Sequence, residues 1–450
     1  MIDRTKLKKL MATEEARFLS RTPKSKDLFE QAQSVMPNGV PMSWMAKWPG
    51  GFPIFVATAK GSRFHDVDGN EYIDFCLGDT GSMTGHSPDP TIAAIHQQID
   101  KGITMMLPSE DSLIVSAELA RRFGLPLWQF TVSATDANRH VIRYARMLTG
   151  RPKIVVIDRC YHGSVDETFA TLDSNDHTVA REGNIGAPVP LDVTTTVVEF
   201  NDLGAMERAL KTGDIAAILL EPAMTNVGIV LPEPGYLVEL QKLAKQYGSY
   251  LIIDETHTIS YGPGGMTGGL GLTPDFLTIG KAIGGGIPTG TFGMTSEVAA
   301  KIKEFVQLDL VDTGGIGGTL AGNALSLAAM RATLTKVLTD AAYARMIPLA
   351  DRWADGVEEV IRECALSWHV NRLGARAEYT FTTRAPRTGR EAADAGDFEL
   401  EQYLHLYLLN EGFLLTPFHN MALISPATTE GDVDAHTQAF RAMCRELVQK

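Results

Sequence analysis

Short apolar runs alternate with longer stretches of helical periodicity through the middle of the chain. Runs at 128–132, 153–157, 194–199, 215–220, 250–254, 276–279 and 289–294 predict strands, and the apolar, β-branched run at 250–253, after the turn signal at Tyr247-Gly248-Ser249, predicts a buried one. Stretches 111–123, 135–148, 203–211 and 233–247 carry their apolar residues on one helical face. Strands alternating with helices call for a mainly parallel sheet with right-handed crossovers, so the fold class is α/β with a seven-stranded sheet. Before this block, 52–56, 62–67 and 71–75 alternate as short strands, and Asp66-Val67-Asp68-Gly69-Asn70 turns a hairpin between the last two. After it, an Ala/Leu-rich helix is predicted over 320–338, then helices near 341–363, 398–411 and 430–448 with strands between them. Residues 1–35 predict an amphipathic helical arm that ends at the turn Met36-Pro37-Asn38-Gly39.

In open α/β sheets ligands gather at the carboxyl ends of the strands. The run at 250–253 delivers Asp254, and the run at 276–279 hands off through Gly280 to Lys281, ahead of Gly284-Gly285-Gly286. An acid and an amine so placed suit pyridoxal phosphate, whose aldehyde a lysine can bond while a carboxylate keeps the pyridine nitrogen protonated. They equally suit a structural ion pair beside a glycine-rich turn. After 128–132, Ser133-Ala134-Thr135 opens a helix whose free N–H groups could receive an anion, or which Ser133 or Thr135 simply caps. The next strand leads to Tyr161 and His162, with Tyr161 a ring on which a planar group could stack. Strand 215–220 leads to Glu221 and, in the following loop, Asn226; Gly317-Gly318-Thr319 offers a second phosphate contact. Met42, Trp44, Met45 and Trp48 lie in a Pro- and Gly-rich segment, where they either line a pocket or cover a core. Met83, Met105 and Met106 fall in segments expected near the same entrance.

Composition removes other classes. A net charge of −13 with no run of lysine or arginine argues against a nucleic-acid surface. The four cysteines, Cys76, Cys160, Cys364 and Cys444, lack metal-ligand spacing and read as reduced thiols, so no metal is expected. No apolar run is long enough to span a membrane and the charged N-terminal residues lead into no apolar signal segment, which makes the cytoplasm the expected location. A chain of 450 residues suggests two or three domains.

The motifs FHDVDGNEYIDF, GHSPDP, FTVSATDANRHVIRYAR, CYHGS, LLEPAMTNVG, IIDETHT, LTIGKAIGGGIPTG and GGTLAGN occur in an order and spacing that resembles the class III, fold-type I, pyridoxal-phosphate-dependent aminotransferases. Within that family the chain is most similar to the branch containing glutamate-1-semialdehyde aminomutase, from about Gln31 to the C-terminus. The resemblance implies a large cofactor-binding domain over 76–325 and a smaller α+β domain built from 1–75 and 326–450. It implies that Lys281 is the Schiff-base lysine and Asp254 the partner of the ring nitrogen. Ser133, Ala134 and Thr135 would hold the phosphate, Tyr161 would stack on the ring with His162 beside it, and Thr256 would pack on the other face. Asn226 and Glu221 would lie beside the ring oxygen and the substrate. Thr319 would reach the phosphate of a neighbouring subunit, which requires at least a homodimer.

Departures from the family pattern bear on substrate. Ala134 replaces a glycine and Thr256 a valine, and the arginine usual after the Asp-Glu motif is replaced around Tyr261. Met42, Trp44 and Met45 occupy the loop where relatives carry a carboxylate-binding arginine, and the family's C-terminal acidic position falls at His419. Arg376 is the remaining candidate for holding a carboxylate, against the plainer reading of an ion-paired arginine. Trp44, Met45, Arg376 and His419 are therefore the substrate-side candidates. The function implied is transfer of an amino group from an amino acid or amine to a keto acid or aldehyde, with a hydrophobic substrate side. The alternatives are an aminomutase of the glutamate-1-semialdehyde type and an amino-acid racemase or epimerase.

Overall fold

The computed structural model describes residues 2–305 and 314–449. The chain divides into two compact units, the larger made of Asp89–Tyr343 and Pro386–Asp394 and the smaller of the stretches up to Pro88, Ala344–Ala385 and from Ala395 onward.

The larger unit is built on one seven-stranded sheet. Its strands are β1 (Leu127–Thr131), β2 (Lys153–Ile157), β3 (Thr195–Val198), β4 (Ile215–Leu220), β5 (Tyr250–Asp254), β6 (Phe276–Gly280) and β7 (Gly290–Met294). Across the sheet they run in the order β1-β7-β6-β5-β4-β2-β3. The pairs from β3 to β6 are parallel, whereas β7 is antiparallel to both β6 and β1. The reason is covalent: residues 281–289 are fewer than the dozen or so that a parallel crossover requires. Every residue of β4 is buried, as befits a strand covered on both faces.

The helix that opens after β1, α1 (Ala134–Thr149), lays Val141, Ile142 and Ala145 into this core and ends at Gly150 in the left-handed conformation. Its first turn is set by close backbone approach. A Cβ on Gly290, the first residue of β7, would fall 2.2 Å from the Ser133 carbonyl oxygen. One on Gly280, the last of β6, would fall 3.1 Å from the Ala134 nitrogen. Only glycine at these two positions lets the helix start nestle against the ends of β6 and β7.

Several expectations are revised at element ends. The helix expected over 320–338 starts at Ala324, where Asn323 caps it by accepting from the Ser326 N–H at 2.9 Å. It runs as an α-helix to Ala332 and widens into a π turn over Thr333–Val337. The single N-terminal helix is two, Arg4–Arg21 and Pro23–Ala32, because Pro23 cannot continue the first but suits the opening turn of the second. In the long connection after β2, Ala170–Leu172 pairs with Thr178–Ala180 as a small hairpin too short to register as a hydrophobic pattern.

The smaller unit contains a four-stranded sheet of Val56–Lys60, Arg63–Asp66, Glu71–Asp74 and Phe413–Leu414. A second sheet joins His369–Leu373, Arg376–Thr380 and Met421–Leu423. Trp353, Tyr379 and Phe440 are fully buried beside them. Met83 is also fully buried, so it is a core residue and not part of an entrance. Among the described residues no helix is long and apolar enough to cross a membrane, and no cluster of His, Cys, Asp and Glu could hold a metal ion.

If Gly290 sets the position of the helix start, Gly290→Ala must push the Ser133 carbonyl away or distort β7. The expected loss is about 2 kcal/mol or more, at the upper end of ordinary overpacking. Urea denaturation measures it, and an unchanged midpoint would show that the helix start can retreat freely.

Candidate active site

The parallel register pairs Asp254 at the end of β5 with Thr278 on β6, two residues before Gly280 and three before Lys281. The adjacent carboxyl ends of two parallel strands therefore bring the acid and the amine to one edge of the sheet, as the sequence predicts.

Asp254 is buried, with 3% of its surface exposed. His162 Nδ1 lies 2.9 Å from its Oδ2, Asn138 Nδ2 donates to the same oxygen at 2.9 Å, and the Thr256 N–H donates to Oδ1 at 3.0 Å. Asn138 also donates to the His162 carbonyl at 3.1 Å and accepts from the Thr278 hydroxyl at 2.7 Å. Asn138 thus ties α1, the loop after β2 and strand β6 to one carboxylate. Sequence reasoning passed over it; the signal was an amide on the first turns of the helix that opens toward the strand ends.

Burial acts first on this pair and opposes its charge, lowering His162 and raising Asp254. The Cys160 and Asp254 side chains overcome it for the imidazole, which is raised to about 10. Hydrogen bonds and the charge of His162, with Thr256 and Asn138, overcome it for the carboxyl, which is lowered to about 2. Both shifts favour an imidazolium beside a carboxylate.

Lys281 follows Gly280 with a left-handed backbone, φ +49°, a conformation that non-glycine residues adopt at some cost. Its Nζ lies 2.8 Å from His257 Nε2. His257 was not singled out from the sequence; its mark was a histidine three residues after Asp254, within the turn that continues β5.

The helix start is close by. Ser133 Oγ accepts from the Asp136 N–H at 3.2 Å, so Ser133 is the N-cap, and Thr135 Oγ1 accepts from the Ser164 N–H at 3.1 Å. Gly163 has φ +76°, and a Cβ there would meet Thr135 Oγ1 at 2.0 Å. The first amides of α1 and the Thr135 hydroxyl thus lie beside the loop that carries Tyr161 and His162. Tyr161 keeps 41% of its surface exposed while its ring edge meets Phe169. Glu221 is buried and accepts from the Thr225 hydroxyl at 2.5 Å, and Asn226 Nδ2 donates to the Arg159 carbonyl at 2.9 Å. Thr256 is buried, and Thr319 is exposed after Gly317 and Gly318.

The remaining candidates belong to the smaller unit. Trp44 is exposed and Met45 half-buried in the turn Ser43–Lys47. Arg376 is fully buried, its Nη2 donating to the Thr80 hydroxyl. His419 is buried with Nδ1 3.1 Å from Glu378 Oε1; burial lowers its pKa, but the carboxylates of Glu378 and Asp79 outweigh that and raise it.

Comparison with known proteins places this geometry. The family model for class III aminotransferases matches residues 44–439. The chain is 34% identical over 439 residues to a glutamate-1-semialdehyde 2,1-aminomutase of Anaeromyxobacter dehalogenans, covering 95% of this chain and 99% of that protein. It superposes with a TM-score of 0.97 and 49% identity on a structure described as a glutamate-1-semialdehyde aminomutase from Pseudomonas aeruginosa PAO1, over 99% of each chain. A lysine-to-alanine form of that protein has been solved in complex with PMP. A β-phenylalanine aminotransferase from Variovorax paradoxus superposes with a TM-score of 0.82 at 27% identity, over 97% of each chain.

The buried ion pair predicts a pH signature. The Asp254 contribution to stability is present above the ordinary carboxyl value of 3.8 and is lost as pH falls through about 2. The His162 contribution is present below the ordinary imidazole value of 6.5 and is lost as pH rises through about 10. Removing the histidine from a buried pair costs about 3–5 kcal/mol where both groups are charged. His162→Gln should therefore be most destabilised relative to wild type between these ordinary values, and the gap should narrow toward alkaline pH. Denaturant unfolding across the range tests this; a gap independent of pH would mean that His162 is not the charged partner.

Proposed function

Because the chain belongs to the class III aminotransferases and works with pyridoxal phosphate, we propose that it transfers an amino group from an amino acid or amine to a keto acid or aldehyde at the strand ends of β5 and β6. The observation that carries this reading is the buried Asp254 carboxylate, held charged at one strand end, with Lys281 at the next.

The residues present fit the cofactor. A carboxylate offers about four lone-pair sites. His162 and Asn138 address Oδ2 and Thr256 addresses Oδ1, which leaves capacity on Oδ1 for a ring N–H. The amides at the start of α1 and the Thr135 hydroxyl suit a phosphate, helped by the helix dipole. Tyr161 has an exposed ring to offer one face of a planar group, and Thr256 is assigned to the other. Asn226 and Glu221 are assigned to the neighbourhood of the ring oxygen and the substrate. Thr319 is assigned to the phosphate site of a second copy, which makes the active unit a homodimer.

Bound pyridoxal phosphate supplies a carbonyl that takes up the donor's amino group and a protonated ring that draws electrons away from the donor carbon. Lys281 would hold the cofactor through its Nζ and would be freed when a donor amine took its place. Its freed Nζ is then the base that removes the proton from the donor carbon and the acid that returns a proton. Asp254 keeps the ring nitrogen protonated, and His162 with Asn138 keeps Asp254 charged and oriented.

The substrate side is assigned to apolar or aromatic groups. Met42 and Trp44 are exposed, and Lys47 lies over the ring of the exposed Phe418, 5.3 Å from its centre. Arg376 is the proposed anchor if the donor carries a carboxylate. The relatives' names favour a second reading, in which the amino group stays on one molecule, as in a glutamate-1-semialdehyde aminomutase.

Borohydride reduction followed by peptide mapping should find the pyridoxyl group on Lys281, and any other lysine would refute the assignment. Asp254→Asn should lose roughly a hundredfold or more in rate, since the buried charge acts where electrons gather. To separate the two readings, the absorbance of the lysine-bound cofactor is followed on mixing with α-amino acids, β-amino acids, arylalkyl amines and glutamate-1-semialdehyde. Bleaching by hydrophobic donors supports the aminotransferase; isomerisation of glutamate-1-semialdehyde without a second carbonyl compound supports the aminomutase. Arg376→Gln should impair a carboxylated donor selectively over its decarboxylated amine, and equal impairment would make Arg376 structural.

A further inference from the structure

The 2.8 Å contact between Lys281 Nζ and His257 Nε2 has no role in the scheme above, where the lysine moves its proton alone. An ammonium group only donates, whereas a ring nitrogen accepts when the imidazole hydrogen sits on the other nitrogen. Two cations at this distance would repel and leave neither nitrogen an acceptor. A hydrogen bond between them that carries one positive charge is either an ammonium beside an imidazole or an amine beside an imidazolium. These states differ by one proton moved along one hydrogen bond.

The position of His257 is fixed by its neighbours. It precedes the 3-10 turn Thr258–Tyr261, and Glu255, two residues before it, is completely buried. Glu255 accepts from the Thr258 hydroxyl at 2.6 Å, the Thr267 N–H at 2.6 Å and the Met266 N–H at 3.2 Å. A Cβ on Gly265 would fall 2.1 Å from Glu255 Oε2, so this lock closes around a glycine. Asp254, the residue before Glu255, is held by His162 and Asn138. His257 lies between Glu255 and Thr258, which are tied by the Thr258 hydroxyl bond, and the Ile259 N–H donates to the Glu255 carbonyl at 2.9 Å, so the turn that carries His257 is held in place. His257 is itself half-buried.

We propose that His257 is a further catalytic residue, the proton-transfer partner of Lys281. A proton leaves the Lys281 ammonium and bonds to His257 Nε2; the positive charge passes to the ring, and Nζ regains the lone pair with which it would bond the carbonyl carbon, whose oxygen would leave as water carrying two of the three ammonium protons, one of them by way of His257. The reverse transfer returns the proton when the lysine is released. No other reactant is consumed. The inference rests on the reading of Lys281 as the cofactor lysine.

The test uses the full chain stripped of cofactor, as wild type, His257→Gln and His257→Ala. Capture of added pyridoxal phosphate is followed by the absorbance of the lysine-bound cofactor. Calorimetry gives the affinity for pyridoxamine phosphate, which has no carbonyl and makes no bond to lysine. Loss of one acid–base group should slow capture by about ten- to a hundredfold in both variants. Pyridoxamine phosphate affinity should stay within about twofold of wild type, and imidazole in solution should speed capture by His257→Ala but not by wild type. Capture by His257→Gln at the wild-type rate overturns the proposal. So does slow capture by His257→Ala that imidazole leaves unchanged, or a parallel loss of pyridoxamine phosphate affinity in both variants, which would make His257 structural. If His257→Ala does not fold, His257→Gln, which keeps a polar side chain of similar length, decides by its capture rate alone. Wild-type protein that captures no pyridoxal phosphate would instead sink the cofactor reading itself.

Discussion

A carboxylate taken out of water stays charged only where hydrogen bonds and an opposite charge replace its hydration. Asp254 meets that condition with groups from three parts of the chain: Asn138 on α1, His162 beyond β2 and the Thr256 amide beyond β5. None of these can be moved without exposing or neutralising the charge. The sheet order, the entry of α1 against Gly280 and Gly290, and the close approach of Gly163 to Thr135 all serve to bring these groups together. The stability of this corner of the larger unit thus rests on the carboxylate that is also proposed to face the pyridine ring.

Lys281 follows the last residue of β6. A left-handed non-glycine residue costs on the order of 1–3 kcal/mol and persists where its surroundings over-determine it. Here Gly280 allows contact with the helix start, and the short connection back to β7 leaves little slack. The backbone cost is offset by the packing of β6 and β7, and the amine is delivered in place against His257. The backbone conformation of Lys281 and the placement of its amine have one origin in the sharp turn after β6.

The smaller unit shows how far burial departs from residue type. Arg376 and Glu378 are two apart on one strand, so their side chains share a face, and both are buried together with His419. His419 stands 3.1 Å from Glu378, and its raised pKa reflects that carboxylate and Asp79 against the cost of burial. A cluster of this kind is expensive unless its members compensate one another. Met83, by contrast, is an apolar residue from a glycine-rich stretch that ends in the core, where its side chain has no access to a ligand.

The strands of the large sheet were legible in the sequence because most are short apolar runs, and the candidate chemistry at their ends came from the rule that ligands gather there. Asp254, Lys281 and the Ser133–Thr135 helix start were visible for that reason, and motif order and spacing carried the family. Element ends were less legible: the cap at Asn323 and the break before Pro23 depend on side-chain hydrogen bonds and ring geometry that periodicity does not register. The antiparallel course of β7 was implicit in the length of the connection before it. What only the tertiary structure decided is which distant polar groups meet. Asn138 and His257 are unremarkable in sequence, one on a helix and one in a turn, and their partners lie 116 and 24 residues away along the chain. A hydrogen bond is made at about 3 Å and depends on direction, so its existence is fixed by the packing of the sheet and not by the local sequence around either partner.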